Sequence, residues 1–197
     1  MDFVEPIRDR KKIAQIKNQL EGAGRYRDLL LFVVGINSAL RVSDLLTLRI
    51  QNFIGSDGVI QANTVLREEK RNKRAVVTIN NSIQETLKKY LAAYPGIIRD
   101  RNYCVFFSTK RADTDYTHAI TRERAWQLVS AMCAAVGLSG NFGTHTLRKT
   151  WGYHARKQGV PMEIIMQKLN HSSFAFTKRY LGITDDELRE AAESLNL

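Results

Sequence analysis

Cysteine is scarce: Cys104 and Cys133 are the only two in 197 residues, too few for a disulfide framework. Each sits in an apolar run, Cys104 between Tyr103 and Phe107 and Cys133 between Ala131 and Val136. Both read as buried thiols of a protein kept in a reducing, cytoplasmic compartment. No apolar run approaches the ~20 residues that span a bilayer. The first, Leu29 to Val34, is short and flanked by charge, and the N-terminus lacks the layout of a secretion signal. Also missing are a Gly-rich phosphate loop ending in Lys-Ser/Thr, a dinucleotide-binding G-x-G-x-x-G, a Cys/His cluster with zinc spacing and a Gly-x-Ser-x-Gly elbow. These absences remove most common enzyme classes. No stretch is rich enough in Gly, Ser or Pro to divide the chain, so a single domain over residues 1–197 is expected.

Positive charge is plentiful. Thirty Lys and Arg against 20 Asp and Glu give a net charge of +10. Such a chain favours a polyanionic partner, because Lys and Arg neutralise phosphates and release condensed counterions. Membrane surfaces and acidic proteins attract it for the same reason. Hydrophobic residues make up 44%, enough at this length to bury about 70% of the unfolded surface without a metal or disulfide.

Apolar spacing predicts helices over residues 8–21, 25–39, 82–93, 121–136, 144–158, 161–169, 174–181 and 185–195. A short helix over 44–48 is predicted with Ser43 as its cap. The period changes after the turn Gly55 to Gly58. Val59–Leu66 and Ala75–Ile79, rich in Val, Ile and Thr, read as two strands joined by the charged segment 67–74. Residues 103–107 read as a strand or buried extended segment and 108–118 as a loop. The expected fold is mostly α with a small antiparallel β-sheet.

Several residues have chemical promise and, taken singly, a bland explanation. His145 and Arg148 lie three apart at a helix start, on one face, where free N–H groups and the dipole favour phosphate. A capped helix with a surface Arg explains them as well. Arg41 is explained by pairing with Asp44, Lys70 by a charge guarding a sheet edge, His171 by a polar turn, and Tyr180 by core packing with Phe174 and Thr177.

Together, in this order, they resemble the tyrosine recombinase (phage integrase) family over roughly residue 10 to the end. The family's small-Arg-x-Ser-Glu/Asp-Leu segment is matched by Leu40 to Leu45, its turn lysine by the stretch Lys70 to Arg74, its His-x-x-Arg by His145 and Arg148, and its Leu-Gly-His by Leu169, Asn170 and His171. Its tyrosine, nine residues after that His, is matched by Tyr180. Asn170 replaces the usual Gly, and Arg71-Asn72 occupies a place where the family often has a small residue and Gly. The second departure leaves the lysine register open between Lys70 and Lys73.

The resemblance implies the recombinase catalytic-domain fold and cleavage and rejoining of double-stranded DNA through a 3′-phosphotyrosine intermediate, with no metal or other cofactor. It assigns Arg41 and Arg148 to a phosphate clamp, Lys70 to protonation of the leaving oxygen, His145 to proton transfer, His171 to a phosphate oxygen, Tyr180 to attack and Asp44 to orienting Arg41 or a neighbouring basic residue. The N-terminal DNA-clamping domain of the family is expected to be absent, since Arg41 arrives after 40 residues; the chain is either a fragment or similar to the short stand-alone members. A tetramer on DNA is implied, with helix 185–195, striped by Leu188, Ala191, Ala192 and Leu195, either docking on a neighbouring protomer or packing on its own core. A type IB topoisomerase and an inactive DNA-binding protein of the same fold remain as alternatives.

Overall fold

The computed structural model describes residues 4–67, 74–109, 115–182 and 193–194. These residues divide into two compact units, the first ending at Trp151 and the second beginning at Gly152.

The first unit is built of helices around a small hairpin. Helix α1 (Arg10–Gly22) starts at Asp9, whose carboxylate accepts from the Lys11 amide, and buries Ile16 and Leu20. Helix α2 (Tyr26–Ser38) is apolar on nearly every face, as a helix at the centre of a core must be. It ends at Ala39 in the left-handed region, φ 60°. Helix α3 (Val42–Leu46) follows. Its first flanking residue is Arg41, so Ser43, expected as the cap, lies inside the helix instead.

Strands β1 (Asn63–Arg67) and β2 (Arg74–Thr78) pair antiparallel, with Val65 opposite Val76 and Arg67 opposite Arg74. The first strand therefore begins at Asn63 and not Val59. An isolated bridge from Ile54 to Ile60 and a bond from the Gln61 amide to the Phe53 carbonyl tie Val59–Ala62 back onto the preceding turn. Helix α4 (Asn81–Ala93) is capped by Asn80, whose side chain accepts from the Ile83 amide. Helix α5 (Arg122–Ala135) is capped in the same way by Thr121, which accepts from the Arg124 amide. Residues 104–107 are buried as expected but are not an extended segment: a turn at 105–106 separates isolated bridges from Cys104 to Arg49 and from Phe107 to Ala119. The Tyr90 hydroxyl donates to the Val105 carbonyl at 2.6 Å, and Arg27 donates to the Phe107 carbonyl at 2.8 Å. Asp28 accepts from both Arg25 and Arg27, so two guanidinium groups flank one buried carboxylate. Both cysteines are buried free thiols.

Helix α6 (Thr144–Lys157) spans the division between the units. Within the first, Leu147 lies directly over Gly35 of α2; a methyl group at Gly35 would meet Leu147 Cδ1 at 2.5 Å. Glycine costs a helix interior about 1 kcal/mol relative to alanine, and here that cost admits a close approach.

The second unit contains the end of α6, helix α7 (Met162–Lys168) and helix α8 (Phe174–Leu181). Gly152 repeats the device used by Gly35: a methyl group there would meet Leu181 Cδ2 at 2.7 Å. The expected helix over 185–195 lies outside the described residues, except for 193–194. No helix among the described residues is long and apolar enough to cross a membrane.

Candidate active site

In the first unit, Arg148 is reached from the start of α6. Gly143 precedes that helix, and its amide donates to Thr146 Oγ1 at 3.0 Å while its carbonyl accepts from the Thr146 amide. These are the reciprocal bonds of a helix start, and they orient the first turn. His145 is exposed, whereas the residues that follow it are buried, Arg148 at 2% exposure.

Burying a guanidinium requires partners for its donors. The Arg148 Nη1 donates to the Ala39 carbonyl at 2.6 Å. Ala39 is the left-handed residue that ends α2, and Arg41 stands two residues beyond it at the threshold of α3. One backbone turn thus seats Arg148 and aims the segment that carries Arg41. The left-handed conformation costs a non-glycine residue roughly 1 kcal/mol or more, and packing sustains it. Asp44 is 2% exposed within α3.

The charges in this unit converge on His145. Its pKa is lowered, first by partial desolvation of the ring and then by the positive charges of Arg148, Lys149 and Arg41. Each favours the neutral ring, so His145 is a proton acceptor at neutral pH. Lys149, 6% exposed, is itself pushed down to about 8 by burial, an effect partly opposed by Glu5.

In the second unit, α7 ends in a two-bond cap. The His171 amide donates to the Met166 carbonyl at 3.0 Å and the Asn170 amide to the Gln167 carbonyl at 2.9 Å, with Asn170 left-handed at φ 50°. This is the position where glycine is usual, and asparagine is among the few other residues that tolerate it. The substitution noted in the sequence therefore preserves the turn that delivers His171. The imidazole then packs edge-on against two rings of α8, Phe176 at 4.7 Å and Tyr180 at 4.9 Å between centroids. Phe176 and Tyr180 are one helical turn apart and stacked at 6.2 Å. The His171 Nδ1 lies 3.1 Å from the Thr177 hydroxyl.

The structure thus brings Arg41, His145 and Arg148 together in one unit, and His171 and Tyr180 together in the other. Lys70 and Lys73 lie outside the described residues; the pairing of Arg67 with Arg74 places both on the connection between β1 and β2. Three participants escaped the sequence reading. Ala39 contributes a backbone carbonyl, and nothing in its side chain signals a left-handed helix end. Lys149 looks like one more surface cation beside Arg148. Thr177 was visible only as a neighbour of Tyr180 on the helix, and its spacing from His171 carries no recognised pattern.

Comparison with known proteins bears on both units. The model of the phage integrase family matches residues 8–187. The probable integrase/recombinase YoeC of Bacillus subtilis (strain 168) is 35% identical over 191 residues, which cover 97% of this chain and 96% of that relative. Tyrosine recombinase XerA of Pyrococcus horikoshii is 27% identical over 183 residues, covering 93% of this chain but 60% of its own length. Tyrosine recombinase XerD of Corynebacterium glutamicum is 26% identical, with 51% of its length covered. The chain therefore spans half to three-fifths of these Xer relatives. Among solved structures, the XerH site-specific recombinase bound to its palindromic difH substrate in a post-cleavage complex matches with a TM-score of 0.75 at 18% identity, over 99% of this chain and 53% of that one. The XerA recombinase matches at 0.73 and 19% identity, over 98% of this chain and 64% of that one. The fold is that of the tyrosine recombinase catalytic domains, and by its match to the family model over most of its length and its identity with a full-length relative the chain belongs to the phage integrase family.

Proposed function

We propose that this chain cuts and rejoins double-stranded DNA through a covalent link from Tyr180 to a DNA phosphate. The observation that carries the reading is the seat of Arg148: a buried guanidinium fixed on the Ala39 carbonyl, two residues from Arg41, with a neutral-leaning His145 in the same field.

Phosphodiester exchange gathers negative charge on the non-bridging oxygens, and a protein speeds it chiefly by holding positive donors there in advance. Arginine suits the task because its planar fork stays charged and binds phosphate through two parallel bonds. Arg41 and Arg148 fill this role. The phenol of tyrosine has a pKa of about 10 and must lose its proton to attack; His145, kept neutral, accepts it. The Tyr180 oxygen bonds to phosphorus as the bond to the 5′ oxygen breaks, and the departing oxygen takes a proton from Lys70 or Lys73. His171 meets a phosphate oxygen, and Asp44 orients Arg41. The phosphotyrosine retains the energy of the broken bond, so attack by a 5′ hydroxyl reverses the step without ATP. The partner is duplex DNA in the cytoplasm, engaged by a tetramer.

The test is a nicked suicide duplex from a randomised library, which traps the covalent adduct. The wild-type chain should form an adduct that Tyr180→Phe abolishes while DNA binding stays near wild type. An adduct that survives Tyr180→Phe rejects the assignment. Relaxation of supercoiled DNA with no strand exchange would point to a topoisomerase.

A further inference from the structure

The hydroxyl of Thr177 sits between two groups. Thr177 is fully buried in α8. Its Oγ1 donates to the Ser173 carbonyl at 3.0 Å, one turn back along the helix, and lies 3.1 Å from His171 Nδ1. A hydroxyl has one hydrogen and two lone pairs. Were the imidazole bare at Nδ1, the hydroxyl would have to turn its hydrogen from Ser173 to His171, leaving one hydrogen bond where two were possible. With the proton on Nδ1, the hydroxyl donates to Ser173 and accepts from His171, so both bonds form. Burial of the Thr177 hydroxyl favours the arrangement with more bonds.

The ring plane is held as well. Phe176 and Tyr180 pack edge-on against the imidazole at 4.7 and 4.9 Å, and the His171 backbone is tied to Met166. We infer that Thr177 is a positioning residue: it locks His171 with its proton on Nδ1, so that Nε2 is the nitrogen presented to the DNA phosphate. This rests on the recombinase reading above. A bond donated from Nε2 to a phosphate oxygen then comes from an imidazolium, and His171 supplies a positive charge in addition to a donor. The logic is that of metal-site histidines, whose working nitrogen is set by the bond its other nitrogen makes.

The experiment compares the wild-type chain with Thr177→Val and Thr177→Ser. Valine keeps the shape and deletes the hydroxyl; serine restores it. Nitrogen-15 NMR of the neutral His171 ring should show Nδ1 protonated in the wild type and in Thr177→Ser, and a loss of that preference in Thr177→Val. Single-turnover adduct formation should fall on the order of tenfold or more in Thr177→Val, the usual scale for losing a partner that orients a histidine. DNA affinity should be unchanged and Thr177→Ser should recover most of the rate. A wild-type His171 protonated at Nε2 overturns the inference, as do equal rates for the valine and serine variants. A wild-type chain that keeps Nδ1 protonated yet forms no adduct overturns the recombinase reading and the positioning role with it, while the tautomer assignment stands.

Discussion

The two units hold their candidate groups by opposite means. In the first, the central group is a charge, and the fold holds it by burial: Arg148 is 2% exposed and anchored on a main-chain carbonyl. In the second, the central group is Tyr180, the proposed nucleophile, held by the rings of His171 and Phe176 on helices of seven and eight residues, with Phe176 51% exposed beside it. Helices this short are not stable alone and depend on tertiary contacts. A guanidinium that stabilises developing charge gains from rigidity, because no reorganisation is then left for the moment of reaction. A tyrosine on short helices held by few elements belongs to the less stable end of a structure, where local opening is cheap.

The strongest way to break this contrast is at Arg148. Arg148→Lys keeps the charge but cannot both reach the Ala39 carbonyl and offer a planar fork to phosphate. Adduct formation should fall on the order of 10²–10³-fold, about 3–4 kcal/mol in the barrier, as for other preorganised donors. Single-turnover trapping with nicked DNA measures it. A lysine variant within a few-fold of wild type would mean that rigidity in the first unit is irrelevant.

A paired measurement sharpens the contrast in stability. Gly35→Ala and Gly152→Ala make the same change in helices of the two units, and each added methyl meets a leucine, Leu147 or Leu181. Alanine is the better helix former by about 1 kcal/mol, so destabilisation in either case isolates the packing clash, worth roughly 1–3 kcal/mol. Gly35→Ala should lower the urea midpoint of the whole transition. Gly152→Ala should show mainly as faster amide exchange in α7 and α8.

The smallest effect concerns pH. The His145 pKa is lowered, by partial desolvation first and then by Arg148, Lys149 and Arg41. The ring therefore stays neutral, and able to accept a proton, below the ordinary histidine value of about 6.5. The acid limb of the rate profile should fall below that value and move up towards it when Lys149→Met removes one of the three charges. The same sign holds for stability. The unfolded chain takes up the proton first as pH falls, so this residue contributes a loss of stability on the acid side of about 6.5. Rates and melting temperatures between about pH 5 and 8 test both, that being the range in which histidine titrates.

Much of the architecture was legible in the chain. The α-helices of the described residues fall, to within two residues at their ends, where apolar spacing put them. The hairpin was recognised from its β-branched residues, though its first strand was drawn four residues too early. Val59 and Ile60 have strand-like side chains, but the bridge from Ile54 to Ile60 claims that backbone for a turn. Ser43 has the chemistry of a cap and lost the position to Arg41, because the helix begins two residues earlier than its polar pattern implied.

The order and kinds of the reactive groups, the basic charge and the helical periodicity were set by the sequence alone, since each is a property of residues near one another in the chain. Which partner each group would find was decided by the tertiary structure. Arg148 and the Ala39 carbonyl stand 109 positions apart, and a backbone carbonyl has no signature of its own. Gly35 is explained only by Leu147, and the tautomer of His171 only by a threonine on the next helix. Hydrogen bonds and close packing act through distances in space, and the chain brings those distances into being only when it folds.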